Sequence, residues 1–407
     1  MSRLDALIEE HCPGGVEHKA LGEVGTFVRG SGLQKKDFVD KGVGCIHYGQ
    51  VYTHYGISAT QPVSFVTPEF ASNKRKVLPG DVFIATTSEN DEDLGKAVAW
   101  LGDDAIVASG DAYIYKHSLD AKYVAYFLNS TNFQQQKQKW ISGTKVRRIA
   151  GNALERIVIP LPPLPVQQEI VRILDMFTQL EAELEAELEA RKLQYEHYKS
   201  EAFEFSPEAV QVPLGELVDI LQGFAFKSSL YVESGIRIVR ISDVQKGTMS
   251  DKDLKYYPES AANEIERYKL NAGDLVMSLS GSVGRVAMLT EADLPAALNQ
   301  RVACIRPSTP RVITRYLFHY LNTNRFEQEA IASTSGGTVK NLSSRWLKEI
   351  FIPLPTIEVQ KRVVSVLDQF DALVNDLNVG LPAELVARRN QYEYYRDQLL
   401  TFKELSV

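Results

Sequence analysis

Three cations fall within four residues at Lys145, Arg147 and Arg148, in the stretch SGTKVRRI that begins at Ser142. Arg and Lys beside a small hydroxyl such as Thr144 are the side chains that hold phosphate oxygens and base edges of a duplex, and glycine lets the backbone approach closely. The same composition returns as Thr338, Lys340, Asn341 and Arg345 in SGGTVKNLSSR from Ser335. The plain alternative is a solvated turn ahead of a helix. A second set is Arg29, Lys35 and Lys36 in VRGSGLQKK, faced by Gln222, Phe224 and Lys227 in LQGFAFKSS. A third is Thr86, Thr87, Ser88 and Asn90, faced by Ser280, Ser282 and Arg285. There the first copy carries SENDED where the second carries SGSVGR, and that acidity weakens a phosphate role for the first.

Other chemistries find less support. His47 and His54 have no third ligand in sequence and read as non-metal. Cys12, Cys45 and Cys304 include no CxxC pair and read as buried thiols of a reducing compartment. Asp253-Leu254-Lys255 matches half of a common nuclease core, but the upstream Pro-Asp is missing. Phe27 to Gly32 only loosely suggests a cofactor turn and reads as a loop. Tyr48, Tyr52, His54 and Tyr55 could read bases or be ordinary strand residues.

These candidates come in pairs because the chain is duplicated. IPLPPLPVQQEIVRILDMF from Ile159 returns as IPLPTIEVQKRVVSVLDQF from Ile352, with ten of nineteen positions identical at an offset of 193. The same offset relates LGEV at Leu21 to LGEL at Leu214, GDVFIAT at Gly80 to GDLVMSL at Gly273, and LNSTNF at Leu128 to LNTNRF at Leu321. Further on, ARKLQYEHY at Ala190 and ARRNQYEYY at Ala387 stand 197 apart, so the second copy holds four more residues in its last part. Before each proline run, short segments rich in Val, Ile, Phe and Tyr read as strands and turns, with helices near Lys122 to Gln138 and Thr314 to Ile331.

After each proline run comes a helix, expected to begin near Val166 in the first copy and after a Thr356 cap in the second. From Val166 to Ser206 there is no Gly or Pro. Apolar positions at steps of three and four (Ile170, Ile173, Phe177, Leu180, Leu184, Leu188, Tyr195, Tyr198) form a single stripe. About 40 residues at ~1.5 Å each make a rod of ~60 Å. The second stripe is interrupted at Gly380-Leu381-Pro382, where a kink or loop is expected. Two single-striped helices bury their stripes most economically against each other, as an antiparallel coiled coil, the alternative being that each stripe meets a different protein.

With 407 residues, two or more domains are expected. No apolar run is long enough to span a bilayer and the N-terminus lacks a signal-peptide pattern, which points to a cytoplasmic protein. The net charge of -7 at first argues against a polyanionic ligand. Its placement reverses that. Val166 to Phe205 carries -6 and Val359 to Val407 carries -1, so the rest is neutral and free to present basic faces.

Two copies of a globular unit that ends in an SG-T-K/R loop and IPLP, followed by VQ, LD, a long heptad helix and QYE-Y, resemble a type I restriction-modification specificity subunit over essentially the whole chain. The resemblance implies an α+β fold with two target recognition domains in tandem, each followed by long helices that pair as an antiparallel coiled coil. It assigns residues 1–159 and 206–352 to target recognition and 160–205 and 353–407 to helical spacers. Each globular half would read one half of a bipartite, asymmetric site on double-stranded DNA. The partners implied are two modification subunits with S-adenosylmethionine, and ATP- and Mg-dependent restriction subunits. This chain would be non-catalytic, bind no cofactor or metal and meet no membrane. The SG-T-K/R loop, lying just before the spacer, could contact a modification subunit instead of DNA. Consistent with this, the sequence has no DPPY or NPPF methylase motif and no phosphate-binding loop of the Gly-x4-Gly-Lys-Ser/Thr type. A stand-alone nuclease, or an assembly adaptor without DNA binding, are the competing classes. Four helical residues add ~6 Å, so inserting or deleting one Leu-Glu-Ala-Glu unit between Leu180 and Leu188 should shift the tolerated gap between half-sites by one or two base pairs. Methylation of an unchanged gap by both variants would contradict a ruler.

Overall fold

The computed structural model describes residues 3–204, 210–334, 340–376 and 379–405. The chain forms two compact units, one of residues 1–184 with 385–407 and one of residues 185–384. Each mixes strands and helices, and their topologies correspond.

In the first unit, one sheet orders its strands Gly25–Arg29, Ala112–His117, Val82–Ala85, Ala97–Trp100 and Ser58–Ala59, and a second orders Ser64–Val66, Val43–Ile46, Ile106–Ala108 and Lys76–Val77. The second unit repeats this with Val218–Gln222, Val302–Pro307, Leu275–Ser278 and Val286–Met288, and with Tyr256–Tyr257, Ile236–Val239, Ala296–Leu298 and Lys269–Leu270. The register of one pair repeats as well. Glu17 opposes Leu161 and Gln211 opposes Pro353 in matching antiparallel pairs just before the helical arms. Strand residues such as Val82, Phe83 and Ile84 in one unit and Leu275, Val276 and Met277 in the other are fully buried, as expected for sheets covered on both faces. All three cysteines are buried free thiols.

Each helical stretch expected near Lys122 and Thr314 is two helices. Ala121–Leu128 is followed by Thr131–Lys137, and Thr314–Leu321 by Asn324–Ala332. The break falls where Ser130 and Thr323 cap the following helix, their hydroxyls accepting from Phe133 and Phe326 N–H. A cap residue with extended backbone cannot sit inside a continuous helix. The first proline run ends in a helix of 39 residues, Leu164–Ala202, which starts two residues earlier than expected because Pro165 is accommodated in its first turn. The second arm is split as the Gly-Leu-Pro break requires, into Ile357–Asn375 and Leu381–Leu399. Thr356 stands at the cap position, but its side chain caps no backbone N–H.

Pairing of the stripes is antiparallel within each unit. In the first, Phe177 stacks on Tyr395 at 5.5 Å and approaches Tyr392, while Glu181 pairs with Arg389. In the second, Tyr195 and Tyr198 lie against Phe370 at 6.2 and 5.2 Å. The first unit's core needs its C-terminal segment. Leu400 is buried in it, and Leu399 and Phe402 pack against it. Beyond the helix, Val16 N–H donates to Lys403 O and Leu405 N–H to Val16 O, both at 2.9 Å. Gly15 makes this possible, since at φ +109° a Cβ would stand 2.5 Å from Lys403 O.

Polar contacts fasten the arm helix to the helix of the globular part in each unit, with different chemistry. Asp175 accepts from Lys122 and from Tyr126 Oη, each at 2.8 Å. At the corresponding place Asp368 accepts from Arg315 at 2.6 Å and lies 2.7 Å from His319 Nε2, while Asp371 takes the other arm of Arg315 at 2.5 Å.

His117 contributes a pH dependence. Burial lowers its pKa to about 4 from the ordinary 6.5, its Nδ1 accepts from Leu119 N–H, and its Nε2 is buried without a hydrogen-bond partner among the described residues. Above about pH 6.5 the ring is neutral in both folded and unfolded chains. Below that the unfolded chain binds a proton that the folded chain refuses until about pH 4, so stability is lost across that window. The chemical-unfolding midpoint should fall between about pH 7 and about pH 5, and fall less in His117→Asn, which keeps an acceptor but cannot titrate. An equal fall in both proteins would remove His117 as a cause.

Candidate nucleic-acid interface

One glycine in each unit stands where two segments cross beside the candidate site. A Cβ on Gly30 would lie 1.8 Å from Ser109 O, and one on Gly223 would lie 2.2 Å from Asn299 O, so only glycine lets these segments cross. Next to the crossings, Ser31 N–H donates to Ala108 O at 2.9 Å and Phe224 N–H to Leu298 O at 2.8 Å. Arg29 is thereby set on the rim, its Nε donating to Gly110 O at 3.0 Å, and Gln222 takes the matching place, its Nε2 donating to Ser344 Oγ.

The SGTKVRR loop is brought onto the third set of candidates by main-chain pairing. Arg147–Arg148 runs antiparallel to Thr87–Ser88, with Arg148 opposite Thr87. In the second unit Asn341 bridges to Ser280, the same pair of positions 193 residues on. The next residues repeat too: Ile149 N–H donates to Thr86 O at 3.2 Å and Leu342 N–H to Leu279 O at 2.8 Å. Behind them Thr86 N–H donates to Asp111 O and Leu279 N–H to Arg301 O. The first unit's cleft, about 350 Å³, is lined by Arg29, Thr87, Asp111, Ser142 and Arg148, with Tyr113 and Ile149.

The side chains divide by what they already hold. Arg148 is exposed, lines the cleft and makes no side-chain hydrogen bond among the described residues. Thr144 and Lys145 are exposed on the same loop. Arg147 forks onto Asp91 of the SENDED stretch, with Nη2 to Oδ2 at 2.7 Å, and also donates to Gly143 O. That guanidinium holds the Asp91 carboxyl below its usual range. The acidity that counted against this loop is thus used to pin it.

In the second unit Ser280 is buried, its Oγ 2.6 Å from Asn341 Oδ1. Ser282 is exposed, while its carbonyl accepts from Ser278 Oγ. Arg285 donates to Gln245 Oε1 at 2.8 Å, and Lys340 is exposed with its carbonyl bonded to Gly281 N–H. Arg345 is exposed and paired to Glu349 along its own helix at 2.8 Å, which ties up one edge of its guanidinium. Thr338 lies outside the described residues. Lys35, Lys36 and Lys227 are exposed on segments that follow the glycine crossings.

Residues not singled out in the sequence also reach this surface. Arg75 N–H donates to Ser31 Oγ at 2.7 Å and Arg75 Nη1 to Arg29 O at 2.5 Å, and Lys74 Nζ donates to Gly32 O at 3.0 Å. Asp111 and Arg301 are the other additions. The signal for the first group was present as the run Asn-Lys-Arg-Lys from Asn73, but only the fold reveals that it abuts Arg29. Tyr52 and Tyr55 belong to or follow a helical turn, Gln50–Thr53, rather than a strand. Their hydroxyls are occupied by Thr87 O and Val63 N–H, at 3.0 and 2.9 Å. Asp253 and Lys255 pair with each other at 2.6 Å, and Arg240 closes on Asp253 as well. No group of three or more His, Cys, Asp or Glu suited to a metal ion occurs among the described residues.

The arrangement offers donors from Arg29 and Arg148, hydroxyls from Thr87 and Ser142, and an acceptor from Asp111. In the second unit it offers Gln222, Ser280, Arg301 and Asn341. These are the groups that distinguish base edges: Arg for guanine, Asn or Gln for adenine, a carboxylate for the cytosine amino group.

Comparison with known proteins gives the family. A family model described as the type I restriction modification DNA specificity domain matches twice, over residues 13–190 and 207–387. The specificity subunit of a type I restriction enzyme from Escherichia coli is 33% identical over 294 residues, covering 69% of this chain and 70% of that one. A structure described as showing complex assembly and conformational transition of the type I R-M system superposes with a TM-score of 0.66 at 19% identity, covering 95% of this chain and 98% of that one. The S subunit crystal structure from M. genitalium does so at 0.52 and 13%, covering 94% and 96%. With two copies of the family's domain accounting for nearly its whole length, the chain belongs to the type I restriction-modification DNA specificity proteins.

Proposed function

We propose that this chain is the non-catalytic, cytoplasmic specificity subunit of a methyltransferase and endonuclease complex, in which each unit reads one half of a bipartite DNA site. The observation that carries this is the repeated main-chain bridge. The same main-chain bridge presents Arg148 over Thr87 in one unit and Asn341 over Ser280 in the other. One backbone with two sets of side chains is what an asymmetric pair of half-sites demands. Direct contacts to phosphate position such a reader, and contacts to base edges give it sequence preference.

The helical arms set the gap between half-sites and dock two modification subunits. Apolar residues left exposed on them support docking, among them Met176 at 50%, Leu193 at 74% and Val366 at 50% exposure. S-adenosylmethionine, ATP and Mg belong to the modification and restriction partners, and this chain takes no cofactor or metal of its own.

Single-molecule methylation mapping in cells carrying the system should return a bipartite, asymmetric motif with a fixed gap. A continuous motif would count against two readers. Arg148→Ala should relax one half of the motif and Asn341→Ala the other, each by about 1–3 kcal/mol of base discrimination. Relaxation of both halves by either substitution would place these side chains in a shared role instead.

A further inference from the structure

We propose that the first unit carries a phosphate anchor with no equal in the second, made by Arg29, Lys35 and Lys36 on one segment and Lys74, Arg75 and Lys76 on another. This rests on the DNA-reading function above and assigns to one unit most of the sequence-independent attraction.

The two segments are held together by three hydrogen bonds, from Arg75 N–H to Ser31 Oγ, Arg75 Nη1 to Arg29 O and Lys74 Nζ to Gly32 O. All six side chains are at least partly exposed. None forms an ion pair among the described residues. The stretches Arg29 to Lys36 and Asn73 to Lys76 contain no acidic residue. The nearest carboxylate along the chain, Asp37, is turned onto Gln34 N–H at 2.8 Å. The side-chain hydrogen bonds these cations make go to neutral carbonyls, Lys74 also lies over the Phe70 ring at 4.3 Å, and Asp111 is the carboxylate that shares a cleft with Arg29. Like charges gathered this way repel, and a polyanion offsets that repulsion by exchanging its own counterions for them.

The matching positions of the second unit differ. Lys35 and Lys36 are replaced by Ser228 and Ser229, Arg29 by Gln222 and Arg75 by Tyr268. Of the cations that remain, Lys227 is exposed, Lys269 pairs with Glu266, and Arg267 lies over the Tyr268 ring at 4.9 Å much as Lys74 lies over the Phe70 ring at 4.3 Å, so three cations stand where the first unit has six. The anchor is therefore a property of one unit.

Because phosphate contacts ignore sequence, the test needs no knowledge of the recognised site. The full-length chain is titrated against a random-sequence duplex of about 60 base pairs between about 0.05 and 0.2 M salt. Replacing Lys74, Arg75 and Lys76 together by Gln should reduce the slope of log affinity against log salt by about 2–3 and weaken binding at least ten-fold at the lower salt. Replacing Arg267 and Lys269 by Gln should reduce the slope by about one or less. A triple variant that folds and keeps the parental slope overturns the anchor, as does an equal loss from the second unit. Should the triple variant not fold, Lys35→Gln with Lys36→Gln, which disturbs no side-chain bond, must lower the slope by about 1–2, and an unchanged slope overturns the proposal. If the parent itself shows no salt-dependent duplex binding, it is the DNA-reading function that fails.

Discussion

The first unit cannot close on residues that are contiguous in the chain. Its core takes in Leu400, with Tyr392, Leu399 and Phe402 packed around it, and its edge is completed by Lys403 and Leu405 bonded to Val16. That requirement explains much else. A C-terminal helix must lie antiparallel to the start of the long helix, so Phe177 and Glu181 carry the partners of Tyr395 and Arg389. The second unit meets the same need with the other half of the long helix and Ile357–Asn375, through Tyr195, Tyr198 and Phe370. The C-terminal arm changes from serving one core to serving the other just after the Gly380-Leu381-Pro382 break, between Glu384 and Leu385.

Much of this was legible in the sequence. The duplication foretells the matching topology but not every register, since Arg29 opposes Tyr113 whereas Gln222, its counterpart, opposes Ala303, three residues short of the counterpart that the offset of 193 gives. The stripes foretell the helical pairing, because that depends on local periodicity. The closing contact of Val16 with Lys403 and Leu405 was not legible, since nothing in either segment marks a partner almost four hundred residues away. The helical turn at Gln50–Thr53 escaped because four aromatic residues in ten suggest a strand, whereas the phenol bonds of Tyr52 and Tyr55 fix a turn. Candidate cations were found by type, but their availability depends on distant carboxylates. Arg147 is claimed by Asp91, whereas Arg148, its neighbour, points into the cleft.

Between the two units the backbone is held more constant than the charge. Asp111 and Arg301 receive equivalent main-chain hydrogen bonds yet carry opposite signs, and Arg148 and Asn341 share a bridge position but offer different donor patterns. The glycine crossings at Gly30 and Gly223 are retained because no side chain fits there, while residues one step away are free to vary. A scaffold fixed by steric constraint and glycine, with side chains varied upon it, is what the proposed reading of two different sequences by one duplicated unit requires.

That claim is tested most directly by making the halves identical. A chain in which residues 21–159 are replaced by a second copy of 214–352, carried in cells with the rest of the system, is mapped for its methylated motif. Two identical readers should give a symmetric motif, the second half-site repeated in both arms. Retention of the parental asymmetric motif by a folded chain of this kind would contradict the assignment of one half-site to each unit.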